Sequence, residues 1–190
     1  MSATAIAGAA KTAAAKTATA AAPATTVYLF RHIQTSQVLV SLKNSVEKQS
    51  LKQIADETRR PAHVRPDHWH PVLAIQGFER HQDALAFHNS LRDHQLNHIS
   101  AKTTDATYMK QPRRLRAPQE MNQIDSTLVK MVELLNEQPQ IKANKGQGFH
   151  ILWEREGVRK DLLEKEGISL PEGIQHGDLA IRRGRDIANA

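Results

Sequence analysis

The sequence predicts one α+β domain, a small mixed sheet opened by a β-hairpin, with helices packed on it and basic extended arms. Two short runs of alternating apolar residues stand together early in the chain. Amphipathic repeats with helical spacing follow, interleaved irregularly with further strand-like runs. A length of 190 residues fits one domain with tails, and 39% hydrophobic with 24% charged residues is typical of a globular protein.

The first 26 residues differ in composition from the rest, so we divide the chain into an extension, 1–26, and a single domain, 27–190. The extension is rich in Ala, Thr and Lys and contains no acidic residue. This composition resembles an organellar targeting segment, although Arg is missing. An Ala-rich tail cannot form a packed core alone. The alternative is therefore that the extension is ordered by a partner such as RNA.

The hairpin is predicted by VYLFRHI (27–33) and QVLVSL (37–42), which are rich in β-branched and aromatic residues. The short polar link Gln34-Thr35-Ser36 separates the two runs. Residues 47–58 then predict a short helix, since Leu51, Ile54 and Ala55 share one helical face and Pro61 follows.

The middle of the chain predicts a loop, a strand and a helix. Residues 59–71 contain three prolines among basic residues and histidines, which predicts an extended loop. VLAIQGF (72–78) is typical of a buried strand that ends at Gly77. Residues 79–96 predict a helix whose inner positions have helical spacing. These positions are Ala84, Phe87, His88 and Leu91.

The second half begins with residues 97–119, which are polar and basic and contain Pro112 and Pro118, so they predict a loop. Residues 120–136 predict a helix that serves only core packing. Its apolar stripe comprises Met121, Ile124, Leu128, Met131, Val132 and Leu135. GFHILWE (148–154) predicts a fourth strand, and residues 159–167 predict a short helix closed by a glycine, ahead of a basic C-terminal tail.

The positive charge is concentrated in particular segments. The net charge is +6, and residues 1–46 hold four basic residues and no acid. Residues 101–119 hold five basic residues against Asp105 alone. Segments of one sign attract polyanions through counterion release. The alternative is a basic surface without a partner.

Three basic clusters on segments predicted to be irregular are the candidate nucleic-acid-binding residues, together with Arg31 of the first strand. Guanidinium groups bind phosphates in a forked geometry and stack on bases, which suits RNA. The clusters are Arg59, Arg60 and Arg65; Lys102, Lys110, Arg113, Arg114 and Arg116; and Arg182, Arg183 and Arg185. This plan is typical of a ribosomal or architectural protein.

The motifs of common enzymes are missing. No glycine-rich phosphate loop, Gly-x-Ser-x-Gly or Asp-x-Asp occurs, and without cysteine there can be no thiol nucleophile. We therefore predict no catalysis, no cofactor and no small-molecule substrate. No apolar run approaches the roughly 20 residues of a membrane helix, which predicts no membrane contact.

Histidines are concentrated in one third of the chain, and His94 and His98 stand one helical turn apart. Such spacing occurs in zinc sites, so a zinc-dependent hydrolase is a minor alternative. No accompanying carboxylates are recognisable, and we predict no bound metal. The histidines of this region are His63, His68, His70, His81, His88, His94 and His98.

Residues 27–160 resemble the fungal mitochondrial homologous recombination protein family, also known as a fungus-specific protein of the large mitochondrial ribosomal subunit. The resemblance rests on both hairpin strands, the approach to the third strand, the helix 80–96 and the fourth strand. The matching residues are Val27, Tyr28, Phe30, Arg31, Gln37-Val38-Leu39, Arg65, Asp67, Trp69 and Leu152-Trp153-Glu154.

The resemblance implies a structural role in the mitochondrial matrix, with large-subunit rRNA and neighbouring ribosomal proteins as partners. It also implies an alternative role for some relatives, namely ATP-independent pairing of homologous mitochondrial DNA, with a part in transcription. A nuclear location beside the mitochondrial one stays open. The lack of a nucleotide-binding loop agrees with ATP-independent activity.

Overall fold

The structure is a computed structural model that describes residues 26–54, 57, 60–144, 148–164 and 169–179. Its centre is a five-stranded sheet with the order β2-β1-β3-β4-β5. The strands are β1 Val27–His32, β2 Val38–Ser41, β3 Trp69–Gln76, β4 His150–Trp153 and β5 Gln175–Asp178. The β4–β5 pair is parallel and the others are antiparallel. The predicted α+β class, mixed sheet and opening hairpin are confirmed.

Six α-helices and two 3-10 helices connect the strands in the described part of the chain. The 3-10 helices are Lys48–Gln53 and Pro66–His68. The α-helices are α1 His81–Thr103, α2 Ala106–Lys110, α3 Arg113–Met121, α4 Ile124–Glu137, α5 Pro139–Asn144 and α6 Glu156–Leu163. No helix within the described ranges is long and apolar enough to cross a membrane.

The main core lies between one face of the sheet and the helices α1 and α4. Alternate strand residues point to this face, so Leu29, Leu73 and Ile151 are fully buried. Of the predicted inner positions of α1, Ala84, Phe87 and Leu91 are buried in this core, whereas His88 is only half-buried. From α4 come Leu128, Met131, Val132 and Leu135, which confirms this part of the predicted core stripe, whereas Met121 is the last residue of α3 and is only half-buried. Burial of these aliphatic side chains is the main stabilising force of the domain.

A smaller core covers the opposite face of the sheet near the hairpin. Phe30, Leu39 and Trp69 pack there against Leu51 and Ile54 of the 3-10 helix region. The predicted short helix over 47–58 is thus a 3-10 helix over Lys48–Gln53, and Ala55 lies outside the described residues.

The predicted loop 59–71 is shorter than expected, because β3 already begins at Trp69. Pro71 lies inside the strand, where it cannot donate a backbone hydrogen bond. The β1–β3 register shifts between Leu29 and Phe30, and Phe30 is the residue opposite Pro71. This bulge-like irregularity accommodates the proline.

The prediction of a basic loop over 97–119 is wrong for most of its length. Helix α1 continues to Thr103, and α2 and α3 follow. Pro112 occupies the N-cap of α3, where a missing N–H costs little, while Pro118 is accepted inside the helix. The helical conformation is interrupted at Asn122 and Gln123, so α4 begins at Ile124 rather than at residue 120.

Three further elements differ from the sequence prediction. Helix α6 begins at Glu156 and ends at Leu163, earlier than the predicted 159–167, and Gly167 lies outside the described residues. Helix α5 and strand β5 have no counterpart in the prediction. The predicted fourth strand is confirmed as β4.

A close backbone approach links the ends of β3 and β4. Gly77 has a φ of +110°, and a Cβ atom there would lie 2.2 Å from the carbonyl oxygen of Gly148. Glycine is therefore required for both conformational and steric reasons. This contact marks the end of the sheet opposite to the hairpin turn.

Candidate nucleic-acid interface

The hairpin turn between β1 and β2 is bonded to two distant segments. The backbone N–H of Ile33 donates to the carbonyl oxygen of His68 at 2.9 Å. On the other side, the N–H of Gln123 donates to the carbonyl oxygen of Ser36 at 3.2 Å. The turn thus lies between the chain that leads into β3 and the junction of α3 with α4.

The turn is itself held in one conformation. Ser36 has a φ of 57°, in the left-handed region, and its N–H donates to the carbonyl oxygen of His32 at 3.0 Å. Thr35 donates its hydroxyl to Gln37 Oε1 at 2.9 Å, and its backbone N–H lies 3.3 Å from His32 Nδ1. Burial is the main cause that lowers the pKa of His32, and the nearby His68 lowers it further, which favours the neutral ring.

These contacts join the segments that carry two of the predicted basic clusters. Arg31 pairs with His70 of β3, and Arg65 lies shortly before that strand. The C-terminal end of helix α3 lies beside the turn, and Arg113 and Arg114 are in the first turn of the same helix. We call the exposed cations of these joined segments the hairpin-end surface: Arg31, Arg65, Lys110, Arg113 and Arg114.

The side chains of the hairpin-end surface are available to a partner. Lys110, Arg113 and Arg114 are exposed, and no ion pair is found for them within the described ranges. Arg65 is 67% exposed and its Nε lies 3.9 Å from Asp67, an interaction worth little at a solvated site. A polyanion would therefore displace few existing contacts.

Arg116, in contrast, joins α2 to α3. Its guanidinium lies over the ring of Tyr108 with 5.9 Å to the centroid, and its Nη1 lies 2.9 Å from Met109 Sδ. Tyr108 is buried, and its hydroxyl donates to the carbonyl oxygen of Arg116 at 3.4 Å. The predicted binding residue Arg116 thus has an internal structural contact.

Lys102 and Arg60 also have partners within the domain. Lys102 Nζ donates to the carbonyl oxygen of Gln119 at 2.7 Å and so ties α1 to α3. Burial lowers the pKa of Lys102, although Glu120 opposes this shift. The guanidinium of Arg60 donates to the carbonyl oxygen of Ile54 at 2.8 and 3.3 Å. Both side chains stabilise the segments that precede or carry the exposed cations.

Helix α2 begins at a side-chain cap. Asp105 Oδ1 accepts hydrogen bonds from the N–H and the hydroxyl of Thr107, at 2.8 and 2.6 Å. These bonds hold the pKa of Asp105 below its usual range. The one acid of the basic segment is thus occupied by capping.

Four predicted binding residues lie outside the described residues: Arg59, Arg182, Arg183 and Arg185. The same holds for the extension up to residue 25. Their part in binding stays a prediction.

The histidines form no recognisable metal site. His94 and His98 have ring centroids 6.5 Å apart where α1 packs on α4, and His98 Nδ1 lies 3.2 Å from Ser126 Oγ. Burial lowers the pKa of both, and Lys130 and Lys102 contribute to the shifts of His94 and His98, respectively. Across the described ranges, no group of three or more His, Cys, Asp or Glu could hold a metal ion.

Two surface features were not singled out from the sequence. Ile33, Met109 and Leu115 are exposed apolar side chains among or beside the basic residues. In the sequence, Leu115 stands among three arginines. A count of charged residues does not reveal such an exposed apolar residue. A cavity of about 340 Å³ also lies beside β2, lined by residues that include Lys43, Lys52, His88 and Arg92.

Comparison with known proteins gives two findings. A family described as "Transcriptional regulation of mitochondrial recombination" matches residues 24–105. The large ribosomal subunit protein mL67 of Schizosaccharomyces pombe is 31% identical over 121 residues, which cover 59% of this chain and 68% of that protein. The chain belongs to the fungal mitochondrial homologous recombination family. The family match contains β1 to β3 and α1, while α2 and α3 follow its end.

Proposed function

We propose that this member of the fungal mitochondrial homologous recombination family is a structural component of the large mitochondrial ribosomal subunit. It works in the mitochondrial matrix and binds rRNA through the hairpin-end surface, beside neighbouring ribosomal proteins. The relative named as a large ribosomal subunit protein supports this role. That name also supports a structural rather than a catalytic function.

One observation carries the choice of surface. The hairpin turn is hydrogen-bonded both to His68 and to Gln123, and so it joins two basic segments that are far apart in the sequence. Each segment alone is a common surface feature. Together they carry exposed cations and are joined by a turn with a fixed conformation.

The binding chemistry follows from these side chains. Arg113, Arg114 and Arg65 present forked donors that match phosphate oxygens. Each contact releases counterions from the RNA, which supplies affinity without sequence specificity. Arg116 and Lys102 keep α2 and α3 in place, so that the contacting groups need little ordering when RNA binds.

A second candidate function is ATP-independent pairing of mitochondrial DNA. The family description, which mentions mitochondrial recombination, favours it. The same exposed cations would bind a DNA backbone, because phosphate contacts do not distinguish sequences. Under this alternative, the protein would act free of ribosomes.

Sedimentation of mitochondrial lysate that contains the tagged full chain tests the proposal. We expect the chain to comigrate with large ribosomal subunits in near-stoichiometric amount and to stay bound through a high-salt wash. Nuclease treatment shows which nucleic acid holds the protein in the particle, since RNase should release the protein and DNase should not. A chain that stays at the top of the gradient, or that only DNase releases, would contradict the ribosomal function.

A further inference from the structure

We infer that the hairpin-end surface binds unpaired nucleotides of RNA, through base contacts by the apolar side chains that stand beside its cations. This inference rests on the proposed function and specifies the kind of RNA. A surface that bound RNA through charge alone would contact only its phosphates. The exposed apolar side chains on the same segments favour an additional, apolar partner group.

The distribution of exposed apolar side chains is the first argument. Four large apolar side chains are exposed in the described part of the chain. Three of them belong to the hairpin turn or to α2 and α3: Ile33 at 49%, Met109 at 45% and Leu115 at 53% exposed. Single exposed apolar residues are normal on a protein surface, but their concentration beside basic residues points to a binding function.

Charge decides the class of partner. Residues 106–119 contain four basic residues and no acid, and the arginines bracket Leu115 in the run Arg113-Arg114-Leu115-Arg116. A protein that covered Leu115 would have to neutralise these charges with carboxylates. A nucleic acid neutralises them with the phosphates that flank every base.

The exposure of Leu115 favours unpaired over paired nucleotides. In an A-form duplex the base faces are stacked inside, and the outside presents phosphates and 2′-hydroxyls. An apolar side chain gains nothing from these groups. An unpaired base offers its apolar face to protein side chains, including guanidinium planes that stack on it.

The apolar side chains are presented by a fixed scaffold. Met109 is contacted by Arg116, which also lies over Tyr108, so α2 and α3 keep one relative position. The C-terminal end of α3 is tied to the turn that carries Ile33 through Gln123 and Ser36. Little ordering is therefore needed before these side chains meet a base.

The test compares two RNAs that share one paired sequence. One is a blunt duplex, and the other is the same duplex with a short central bulge. Fluorescence anisotropy measures the affinity of the full chain, of Leu115→Ala and of Leu85→Ala. Leu85 is a matched control, because among the residues with described side chains it is the other exposed leucine, 39% exposed, and lies near the beginning of α1.

We expect the wild type to bind the bulged RNA about tenfold more tightly than the blunt duplex, which corresponds to about 1.4 kcal/mol. Leu115→Ala should lose most of this preference without weaker binding to the blunt duplex, and Leu85→Ala should keep it. Equal binding of both RNAs by the wild type would overturn the inference while leaving RNA binding intact.

Two other outcomes would also overturn it. If Leu115→Ala keeps the preference for the bulge but no longer comigrates with large subunits, the apolar side chains contact a neighbouring protein instead. If the wild type binds neither RNA, the proposed function itself fails, and the inference fails with it.

Discussion

The side-chain amide of Gln53 forms two hydrogen bonds with the backbone of Val40. Its Nε2 donates to the Val40 carbonyl oxygen at 2.7 Å, and its Oε1 accepts from the Val40 N–H at 2.8 Å. Strand β2 is an edge strand, and alternate residues direct their backbone groups away from β1. Gln53 therefore takes the place of a neighbouring strand. Gln123 acts similarly at Val38, with Oε1 3.4 Å from its N–H.

We expect Gln53→Leu to destabilise the domain by about 1–3 kcal/mol, because the buried N–H of Val40 loses its partner and its carbonyl oxygen keeps only His88 Nε2, at 3.3 Å. Chemical denaturation measures the change. Gln49→Leu is the matched control, since Gln49 lies on the same 3-10 helix but is exposed. The uncapped edge should also promote self-association. Equal stability of the two variants would show that the amide does not protect the edge.

Helix α4 should serve the core alone. Leu128 is 3% exposed and packs on the sheet. Leu128→Ala should lower the free energy of unfolding by about 2–5 kcal/mol, as for other buried leucines. RNA affinity per folded molecule should stay the same, which a titration corrected for the folded fraction can measure. A stable variant with weaker RNA binding would refute this division of roles.

Stability should fall as the pH is lowered below neutrality. Burial lowers the pKa of His94 and of His98 in the folded state, with further lowering by Lys130 and Lys102, while Glu133 opposes it at His94. The unfolded chain then binds more protons as the pH drops below about 6.5, the ordinary histidine value. The free energy of unfolding should therefore decrease from there down to the lowered pKa values of the folded state.

Urea titrations at several pH values check this expectation. The double variant His94→Gln, His98→Gln should depend less on pH between neutral and mildly acidic conditions than the wild type. His63 is exposed and serves as the matched control, so His63→Gln should keep the wild-type dependence. The same pH dependence in the double variant as in the wild type would assign the effect to other groups, such as His32 and His176, whose pKa values burial also lowers.

Local sequence patterns predicted the elements whose burial on one face gives the sequence a regular period. The alternation in residues 27–42 predicted the hairpin, and the spacing from Leu128 to Leu135 predicted the core side of α4, because burial imposes these periods. Strand β5 has the sequence QHGD and lacks strand preference, so it exists only through parallel pairing with β4.

Tertiary contacts decided what the sequence pattern could not predict. Helix α4 begins at Ile124 because Gln123 bonds to Ser36 and Val38 in the hairpin, a contact invisible in local periodicity. The same contact brings α3 to the turn. The positions of the cations are evident from the sequence, but whether each is exposed, as Arg113 is, or internally bonded, as Arg116 is, depends on packing.

The salt dependence of RNA binding tests the hairpin-end surface most directly. The variant carries Arg113→Gln and Arg114→Gln, and the control carries Arg80→Gln and Lys142→Gln. Both control residues are exposed and lie near the opposite end of the sheet, after β3 and before β4. Each pair of substitutions removes the same charge, so a general effect of net charge cancels.

The slope of log affinity against log salt should become shallower by about 0.7–0.9 for each phosphate that the variant no longer neutralises. The variant should therefore change the slope by about 1.4–1.8, with weaker binding to unrelated RNAs alike. The control should keep the wild-type slope, and both proteins should unfold like the wild type. An unchanged slope in the Arg113 and Arg114 variant, or the same change in the control, would contradict the assignment of RNA binding to this surface.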